Sequence, residues 1–240
     1  MGFWTDAALH VLLPRACAHC RGDLPFRNDD ALCAPCAAAL PPPPEPACAR
    51  CAGALAAGAG FCRACAGRLF ACRLTRAAAS YRGPAASLVR AFKFRGLPSA
   101  ARAAGRVMAE GFARRPELSG FDALVPVPLH PRRERERGYN QASLLARELA
   151  AATALPVRDL LARPRAAAPS WSLRRAERRA ELAGAFAARP GGGAKGLRLL
   201  LVDDVCASAT TFEECALALR RAGARDVAGY AFARAGSFFT

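Results

Sequence analysis

Lysine, histidine and long apolar runs are all scarce in this chain of 240 residues. It has 3 histidines, and Lys93 and Lys195 are its only lysines. No apolar stretch approaches the roughly 18–20 residues that a membrane span needs. The longest candidate, residues 197–202, contains an arginine and is followed directly by two aspartates. The sequence therefore predicts a protein without a membrane span.

The N-terminus also lacks features of a secretory signal. It has neither the basic segment nor the long apolar segment that such signals carry, so we expect a cytoplasmic protein. Hydrophobic residues make up 53% of the chain and charged residues 22%, which is a globular composition and excludes disorder throughout. The length suits one large domain, or one medium domain together with a small module.

Negative charge is in short supply, since 19 acidic residues face 35 basic ones and the net charge is +16. The imbalance is local: residues 1–72 carry a net charge of +1, and residues 73–240 carry +15. A basic second part favours a polyanionic or phosphate-bearing partner. A mutational bias toward arginine codons is the alternative origin of this excess.

Cysteine, by contrast, is abundant at the N-terminus. Nine of the eleven cysteines fall within residues 1–72, and eight of them form four C-x-x-C pairs: Cys17/Cys20, Cys33/Cys36, Cys48/Cys51 and Cys62/Cys65. Two such pairs complete one tetrahedral zinc site, so four pairs supply two sites. A disulfide framework is the alternative, but disulfides need an oxidising compartment.

The order in which the pairs combine is open at this stage. Serial pairing joins the first pair to the second and the third to the fourth, whereas interleaved pairing mixes them. The proline-rich run at residues 40–46 is typical of a stiff, extended spacer and favours two consecutive ribbons. Neither site keeps a position for water, so both zinc ions are predicted to be structural. We expect a zinc-binding module over residues 1–72 and a second domain over residues 73–240.

From about residue 77, apolar strands alternate with helices. Residues 121–125, 197–202 and 227–233 are predicted strands, and residues 141–152 form a predicted helix with Asn140 as its cap. Thr211 and Glu214 fit a capping box for the helix that follows the second of these strands. Strand, helix and strand in this order predict a βαβ unit in a parallel sheet, with a crevice at the carboxyl ends of the strands.

The loop after the strand at residues 197–202 has the composition of a phosphate site. Small residues allow backbone N–H groups to approach an anion, and Ser208, Thr210 and Thr211 supply hydroxyl donors near a helix N-terminus. Asp203 and Asp204 precede this loop and can accept hydrogen bonds from sugar hydroxyls or hold Mg²⁺. The alternative is that the threonines only cap the helix and the aspartates are solvated.

These motifs resemble two known patterns. The segment VDDVCASATT at residues 202–211 resembles the phosphoribosyl-diphosphate (PRPP) motif of type I phosphoribosyltransferases. The chain as a whole resembles the ComF family, which joins an N-terminal double zinc ribbon to such a domain. The resemblance covers nearly all of the chain and rests on the cysteine pairs and on YRGP (81–84), FKFRG (92–96), VPVPL (125–129), RGYNQ (137–141) and LRRAERR (173–179).

The resemblance implies a fold and a set of site residues. The fold is α/β: a type I phosphoribosyltransferase-like parallel sheet flanked by helices, with a small N-terminal zinc-ribbon module. Asp203 and Asp204 correspond to the catalytic pair that contacts the ribose hydroxyls, with Mg²⁺ present if PRPP binds. The 5′-phosphate loop corresponds to Ala207, Ser208, Ala209, Thr210 and Thr211. The diphosphate loop corresponds to Val127, Pro128, Leu129 and His130.

A flexible loop over the site corresponds to residues 170–182. Its basic residues are candidates for contact with diphosphate or with a nucleic-acid backbone: Arg174, Arg175, Arg178 and Arg179. A solvated basic face is the alternative for each of these arginines. The chain departs from the family here, because Trp171 and Glu181 stand where the family more often shows glutamine and asparagine.

The phosphate loop departs from the family pattern as well. Ala207 replaces a threonine, Ala209 replaces a glycine and Thr210 replaces an alanine. One hydroxyl donor is lost and another is displaced by one position. If residue 209 takes a positive φ, as the family glycine can, a Cβ at this position is strained.

Three functions follow from these observations. The first is a competence protein that takes up DNA, binds single-stranded DNA and carries a PRPP site; Trp171, Tyr139 and Phe94 are its candidates for base stacking. The second is an active phosphoribosyltransferase that transfers a phosphoribosyl group to an unidentified acceptor. The third is a catalytically degenerate scaffold whose ribbons bind a helicase or another uptake protein.

Overall fold

The protein is represented by a computed structural model that describes residues 15–25, 30–56, 59–165 and 180–236. Several predicted contact residues lie outside these ranges, namely Trp171, Arg174, Arg175, Arg178 and Arg179. Among the described helices, none combines the length and the apolar character that crossing a bilayer requires.

A four-stranded parallel sheet forms the centre of the fold. Its strands in spatial order are β1 (Thr75–Ser80), β6 (Asp226–Arg234), β5 (Arg198–Cys206) and β2 (Ala123–Pro126). A separate antiparallel pair consists of β3 (Leu161–Ala162) and β4 (Ala187–Ala188). The three predicted strands are thus present, and their parallel pairing agrees with the predicted βαβ unit.

Helices connect the strands and cover the sheet. In chain order they are α1 (Ala34–Ala38), α2 (Gly83–Phe94), α3 (Ala100–Ala113), α4 (Pro131–Arg137), α5 (Gln141–Thr153) and α6 (Thr210–Arg221), with a 3₁₀ turn at Pro116–Leu118. Asn140 caps α5 as predicted, because its side chain accepts the Ala142 N–H at 3.0 Å. The predicted capping box on α6 is wrong: the N-cap is Ala209, and Glu214 accepts the N–H of Gly184 instead.

The alternation of side chains along the central strands produces two cores, one on each face of the sheet. On β5, Leu200 and Val202 pack with α2, α3 and α5, whereas Leu199 and Leu201 pack with α6 and the β3–β4 pair. Both faces are apolar because helices cover both. The predicted fold class, a parallel sheet flanked by helices behind a small N-terminal zinc-ribbon module, is confirmed.

The two cysteine-rich ribbons occupy different positions on this sheet domain. Residues of the first ribbon, among them Leu24 and Leu32, join the core under α2 and α3. The second ribbon forms its own small cluster, which Ala209 also contacts. The domain boundary at residue 72 stays a prediction. Close to it, Thr75 of β1 donates its N–H to the Arg50 carbonyl of the second ribbon at 2.6 Å.

Candidate functional site

The eight paired cysteines form two compact groups of four. One group is Cys17, Cys20, Cys33 and Cys36, the other is Cys48, Cys51, Cys62 and Cys65, and within each group all sulfur atoms lie within 4.8 Å of one another. The grouping is therefore serial. Four sulfurs at a Zn–S distance of about 2.3 Å form a tetrahedron with edges of about 3.8 Å. The Cys20–Cys33 and Cys51–Cys62 sulfur separations of 3.7 and 3.8 Å match that edge, so both groups fit structural zinc.

Each group also prepares one thiol for a metal. The Cys33 N–H points at Cys17 Sγ at 3.4 Å, and the Cys62 N–H points at Cys48 Sγ at 3.3 Å. Burial raises the pKa of Cys17 and Cys48, but hydrogen bonds from backbone N–H groups outweigh it and lower each pKa to about 6. Zinc binds the thiolate, so these bonds favour the metal-binding form.

The acidic pair lies near the end of β5, beyond the end of its neighbour β2. Pro126, the last residue of β2, pairs with Val202, so Asp203 and Asp204 extend past this edge of the sheet. Asp203 is half-buried and Asp204 is buried. The Asp204 N–H donates to Asp203 Oδ1 at 2.8 Å, which fixes the first carboxylate against the backbone.

Lys93 of α2 forms an ion pair with one of these two aspartates. Its Nζ lies 2.7 Å from Asp204 Oδ1. Burial lowers the pKa of Lys93, but the carboxylates of Asp204 and Asp203 outweigh burial and raise it, so the lysine stays charged. The C-terminus of α2 is held in place from a second side, since Tyr139 donates its hydroxyl to the Phe92 carbonyl at 2.6 Å.

The two aspartates have different electrostatic surroundings. Burial, and then the negative charge of Asp204, raise the pKa of Asp203 to about 7, against the opposing effect of Lys93. Asp204 is the carboxylate that holds the lysine. Asp203 therefore changes protonation near neutral pH.

Two arginines beside the pair were not predicted as site residues. Arg163, next to β3, lies where its charge opposes the rise in the Asp203 pKa. It stacks over the Phe186 ring at 5.2 Å, and within the described residues its Nε is buried without a hydrogen-bond partner. Arg137, at the end of α4, interacts electrostatically with Asp204, while burial lowers its own pKa. Arg137 is the first residue of the RGYNQ segment (137–141), but the resemblance assigns no site role to it, and Arg163 belongs to none of the segments that carry the resemblance.

Residues 207–209 connect β5 to α6, and Thr210 and Thr211 of the predicted phosphate loop form the start of the helix. Ala209 has φ +59° and ψ 3°, so a residue with a Cβ occupies the left-handed region at the helix N-cap. The Ser208 and Thr210 hydroxyls lie 2.9 Å apart, and Ala207 at the start of the loop is exposed. The strain expected for residue 209 is thus present in the backbone.

The predicted diphosphate loop follows β2. Val127 and Pro128 are buried, whereas Leu129 and His130 are half-buried. The Val127 N–H donates to the Val202 carbonyl at 2.9 Å, and Asn140 donates to the Val127 carbonyl at 3.0 Å. These bonds hold the loop next to the part of β5 that carries the acidic pair. His130 caps α4, because its Nδ1 accepts the Arg132 N–H at 3.2 Å.

Arg234 connects the second ribbon to the 207–211 loop. It is 3% exposed and donates from Nε to the Cys51 carbonyl at 3.0 Å and from Nη1 to the Cys206 carbonyl at 2.8 Å, with a further bond to the Ala207 carbonyl. On the other side of the loop, Glu213 accepts the N–H groups of Ala71 and Cys72 at 2.8 and 3.0 Å. Hydrogen bonds through Arg234 therefore link the second zinc group to the 207–211 loop.

Comparison with known proteins identifies relatives of both parts of the chain. The double zinc ribbon domain family matches residues 8–69. Competence protein F of Haemophilus influenzae is 29% identical over 224 residues, which are 91% of this chain and 96% of that protein. The DNA utilization protein YhgH of Salmonella typhi is 32% identical over 151 residues, 61% of this chain and 66% of that protein.

Solved structures give more partial matches. Glutamine phosphoribosylpyrophosphate amidotransferase from B. subtilis, complexed with ADP and GMP, is 23% identical with a TM-score of 0.38 and matches 55% of this chain. UMP synthase of Leishmania donovani is 19% identical with a TM-score of 0.35 and matches 60% of this chain. The chain spans 26% and 23% of the length of these two proteins.

Proposed function

The chain belongs to the ComF family, and from that premise we propose that it acts in DNA uptake, binding single-stranded DNA and holding a phosphoribosyl group at the end of β5. The observation that carries the second half is the placement of Asp203 and Asp204 near the carboxyl end of one central strand, two residues before the 207–211 loop. Ligands of parallel α/β sheets bind at this end of the strands.

In this proposal different residues of the chain bind different parts of the ligand. Asp203 accepts hydrogen bonds from the ribose hydroxyls, while Asp204 is held by Lys93. The N–H groups of the 207–211 loop, the Ser208 and Thr210 hydroxyls and the N-terminus of α6 hold the 5′-phosphate. Residues 127–130 receive the diphosphate, and Arg163 and Arg137 supply positive charge nearby.

Magnesium fits this arrangement as a companion of the diphosphate. Because Lys93 occupies one oxygen of Asp204 and the Asp204 N–H occupies one oxygen of Asp203, each carboxylate keeps one oxygen for a cation or a hydroxyl. Mg²⁺ is usually held by one or two carboxylates together with substrate phosphates, and it supplies charge neutralisation there. Transfer of the phosphoribosyl group to an acceptor, with loss of diphosphate, is the enzymatic form of this proposal.

The DNA-binding half of the proposal is supported by charge and by an exposed aromatic side chain. Residues 73–240 carry a net charge of +15. Phe94, at the end of α2, is 75% exposed and is followed by the exposed Arg95, so it can stack on a base beside a cationic side chain. Tyr139 is less suited to stacking than expected, because it is half-buried and its hydroxyl is bonded to Phe92.

Calorimetric titration of the zinc-loaded protein with PRPP and Mg²⁺ tests the phosphoribosyl site. We expect binding to the wild type and its loss in the Asp203→Asn/Asp204→Asn variant. Absence of binding to a folded wild type would instead favour the degenerate scaffold, in which the ribbons bind a helicase or another uptake protein.

Fluorescence anisotropy with a labelled oligothymidylate tests the DNA-binding half. We expect the affinity to fall steeply between 50 and 200 mM salt, since about six phosphate contacts already give a loss of about 10³-fold over this range. An affinity that does not change with salt contradicts an electrostatic interface.

We further propose that residues 1–72 and 73–240 are separate domains and that the protein acts in the cytoplasm.

A further inference from the structure

A cavity of about 690 Å³ lies between the second ribbon and the 207–211 loop. Arg50, Arg68 and Phe70 form its ribbon wall, and Ser208 and Thr210 contribute to the opposite wall. Small-ligand sites typically measure about 300–1,000 Å³, so the cavity is large enough for a nucleoside. The loop thus has the acidic pair at its β5 end and this cavity at its α6 end.

The ribbon wall combines the Phe70 ring with the guanidinium groups of Arg50 and Arg68, and the Phe61 ring lies behind Arg50, outside the cavity lining. Arg50 Cζ lies 4.9 Å from the centre of the Phe70 ring and 5.9 Å from that of Phe61, and Arg68 Cζ lies 5.6 Å from Phe70. Phe61 is 49% exposed. Planar groups arranged in this way bind the flat face of a nucleobase, because stacking on an aromatic ring accepts every base.

Arg50 also offers a hydrogen-bond donor that the protein leaves unused. Its Nε is buried and, among the residues that the structure describes, has no partner. A buried donor without an acceptor is unfavourable, so an acceptor atom from a ligand stabilises this arrangement. A nucleobase carries such acceptors on its ring nitrogens and carbonyl groups.

The charges around the cavity are balanced. Arg50 and Arg68 face Glu213 and Glu214, whose carboxylates accept backbone N–H groups of residues 71, 72 and 184. A balanced wall suits a neutral base better than a second phosphate. The α6 N-terminus and the loop hydroxyls, by contrast, suit a single phosphate at the cavity's edge.

We propose that this site takes a nucleoside-extended phosphoribosyl group: the sugar at Asp203, its 5′-phosphate on the 207–211 loop, and a further nucleoside, linked through that phosphate, in the ribbon cavity. The inference rests on the proposed function and deepens it, because it gives the second ribbon a direct part in ligand binding. Two sources supply this chemistry, a dinucleotide such as ADP-ribose and a short nucleic-acid strand.

Calorimetric titrations with ribose 5-phosphate, ADP-ribose and a uridine trinucleotide separate these possibilities. For the wild type we expect ADP-ribose or the trinucleotide to bind about tenfold or more tightly than ribose 5-phosphate, as one stacked base contributes. Phe70→Leu and Arg50→Gln should remove this advantage and leave the affinity for ribose 5-phosphate unchanged. Arg63→Ala is the matched control, because Arg63 is an exposed arginine of the same ribbon that does not line the cavity.

Zinc content and circular dichroism establish that each variant is folded, and the two variants remove the ring face and the free donor independently. Tighter binding of ADP-ribose alone identifies a dinucleotide, and tighter binding of the trinucleotide identifies a strand. Equal affinities for all three compounds, or an advantage that survives both variants, overturn the inference. If ADP-ribose binds through Phe70 while ribose 5-phosphate does not bind at all, the proposed phosphoribosyl site is wrong and the cavity assignment stands.

Discussion

Lys93 Nζ lies 2.7 Å from Asp204 Oδ1, so the C-terminal turn of α2 is tied directly to the carboxyl end of β5. The side chains of Lys93 and Asp204 are 25% and 7% exposed, so water screens the two charges poorly. The ion pair leaves one oxygen of Asp204, like one oxygen of Asp203, available to a ligand. Lys93 and the acidic pair lie far apart in the sequence, and this contact brings them together in one site.

Replacing Lys93 by methionine should destabilise the protein by about 3 kcal/mol, because it leaves the Asp204 carboxylate buried without its cation. Urea unfolding at neutral pH measures this loss. The chain's other lysine provides the control, since Lys195 is exposed and Lys195→Met should change the free energy of unfolding by less than about 0.5 kcal/mol. Equal effects of the two substitutions would show that the Lys93–Asp204 pair contributes nothing specific.

The stability of the protein should fall as the pH rises through the acidic range because of Asp203. The ordinary pKa of this carboxyl is 3.8, and in the folded protein burial and the charge of Asp204 raise it to about 7. Between these values the folded state binds a proton that the unfolded state has lost, so raising the pH removes stability. Above the folded pKa this loss is complete, at up to about 4 kcal/mol for a shift of about three pH units.

Asp203→Asn tests this linkage, since asparagine stays neutral at every pH. At pH 8 the variant should be more stable than the wild type, and the difference should disappear near pH 4. The exposed Asp159, which pairs with Arg189 at the surface, gives the control variant Asp159→Asn. A difference between Asp203→Asn and the wild type that does not change with pH would contradict the raised pKa.

Some of this site could be predicted from the sequence alone. The C-x-x-C spacing predicts cysteine pairs because two residues between ligands fit one metal-binding turn, and the stiff proline-rich spacer favours the serial grouping that the structure contains. The apolar strand before Asp203 predicts a central parallel strand, which is confirmed as β5. These features are local, so a short window of sequence contains them.

Other features depend on tertiary structure and have no local signal. Lys93 reaches Asp204 only because the end of α2 lies beside β5. Arg163 approaches Asp203 only because the β3–β4 pair packs against α6, on the same face of the sheet as Leu199 and Leu201. The predicted capping box at the start of α6 is wrong for a related reason. The hydrogen bond of Glu214 to Gly184 removes it from the predicted capping box, and the helix begins at Thr210 instead.

The two zinc groups should be separable by substitution. Cys20→Ser and Cys62→Ser each remove one ligand from a different group, so each variant should retain one of two zinc ions per chain, as metal analysis measures. Cys72→Ser is the control and should retain both, because Cys72 belongs to neither group and burial raises its pKa to about 12. Loss of both ions in either ligand variant would show that the groups do not bind independently.

The second zinc group should also affect the phosphate loop, whereas the first should not. Arg234 bonds to the Cys51 carbonyl and to the carbonyls of Cys206 and Ala207, so loosening the second ribbon releases one end of this bridge. Amide hydrogen exchange in residues 206–211 should therefore accelerate in Cys62→Ser and stay unchanged in Cys20→Ser. Equal protection in both variants contradicts this connection.

Ala209→Gly should stabilise the protein, although glycine loses more backbone freedom on folding than alanine does. A Cβ in the left-handed region costs about 1–2 kcal/mol, and the greater freedom of glycine in the unfolded chain offsets about 0.4–1 kcal/mol of the gain. The net expectation is an increase of about 0.5–1 kcal/mol in the free energy of unfolding. Ala222→Gly, at the other end of α6 where φ is −81°, should lower that free energy by a similar amount.

The same substitution tests whether residues 207–211 hold a phosphate. Removing the methyl group of Ala209 opens the approach of the loop's backbone to an anion without removing any donor, so the affinity for PRPP should stay constant or rise. Calorimetry on Ala209→Gly, with Ala154→Gly as a second left-handed alanine far from the loop in sequence, measures this effect. If the Ala209→Gly variant is folded and more stable yet binds PRPP more weakly, the Ala209 methyl group does not obstruct the phosphate and this account of the loop is wrong.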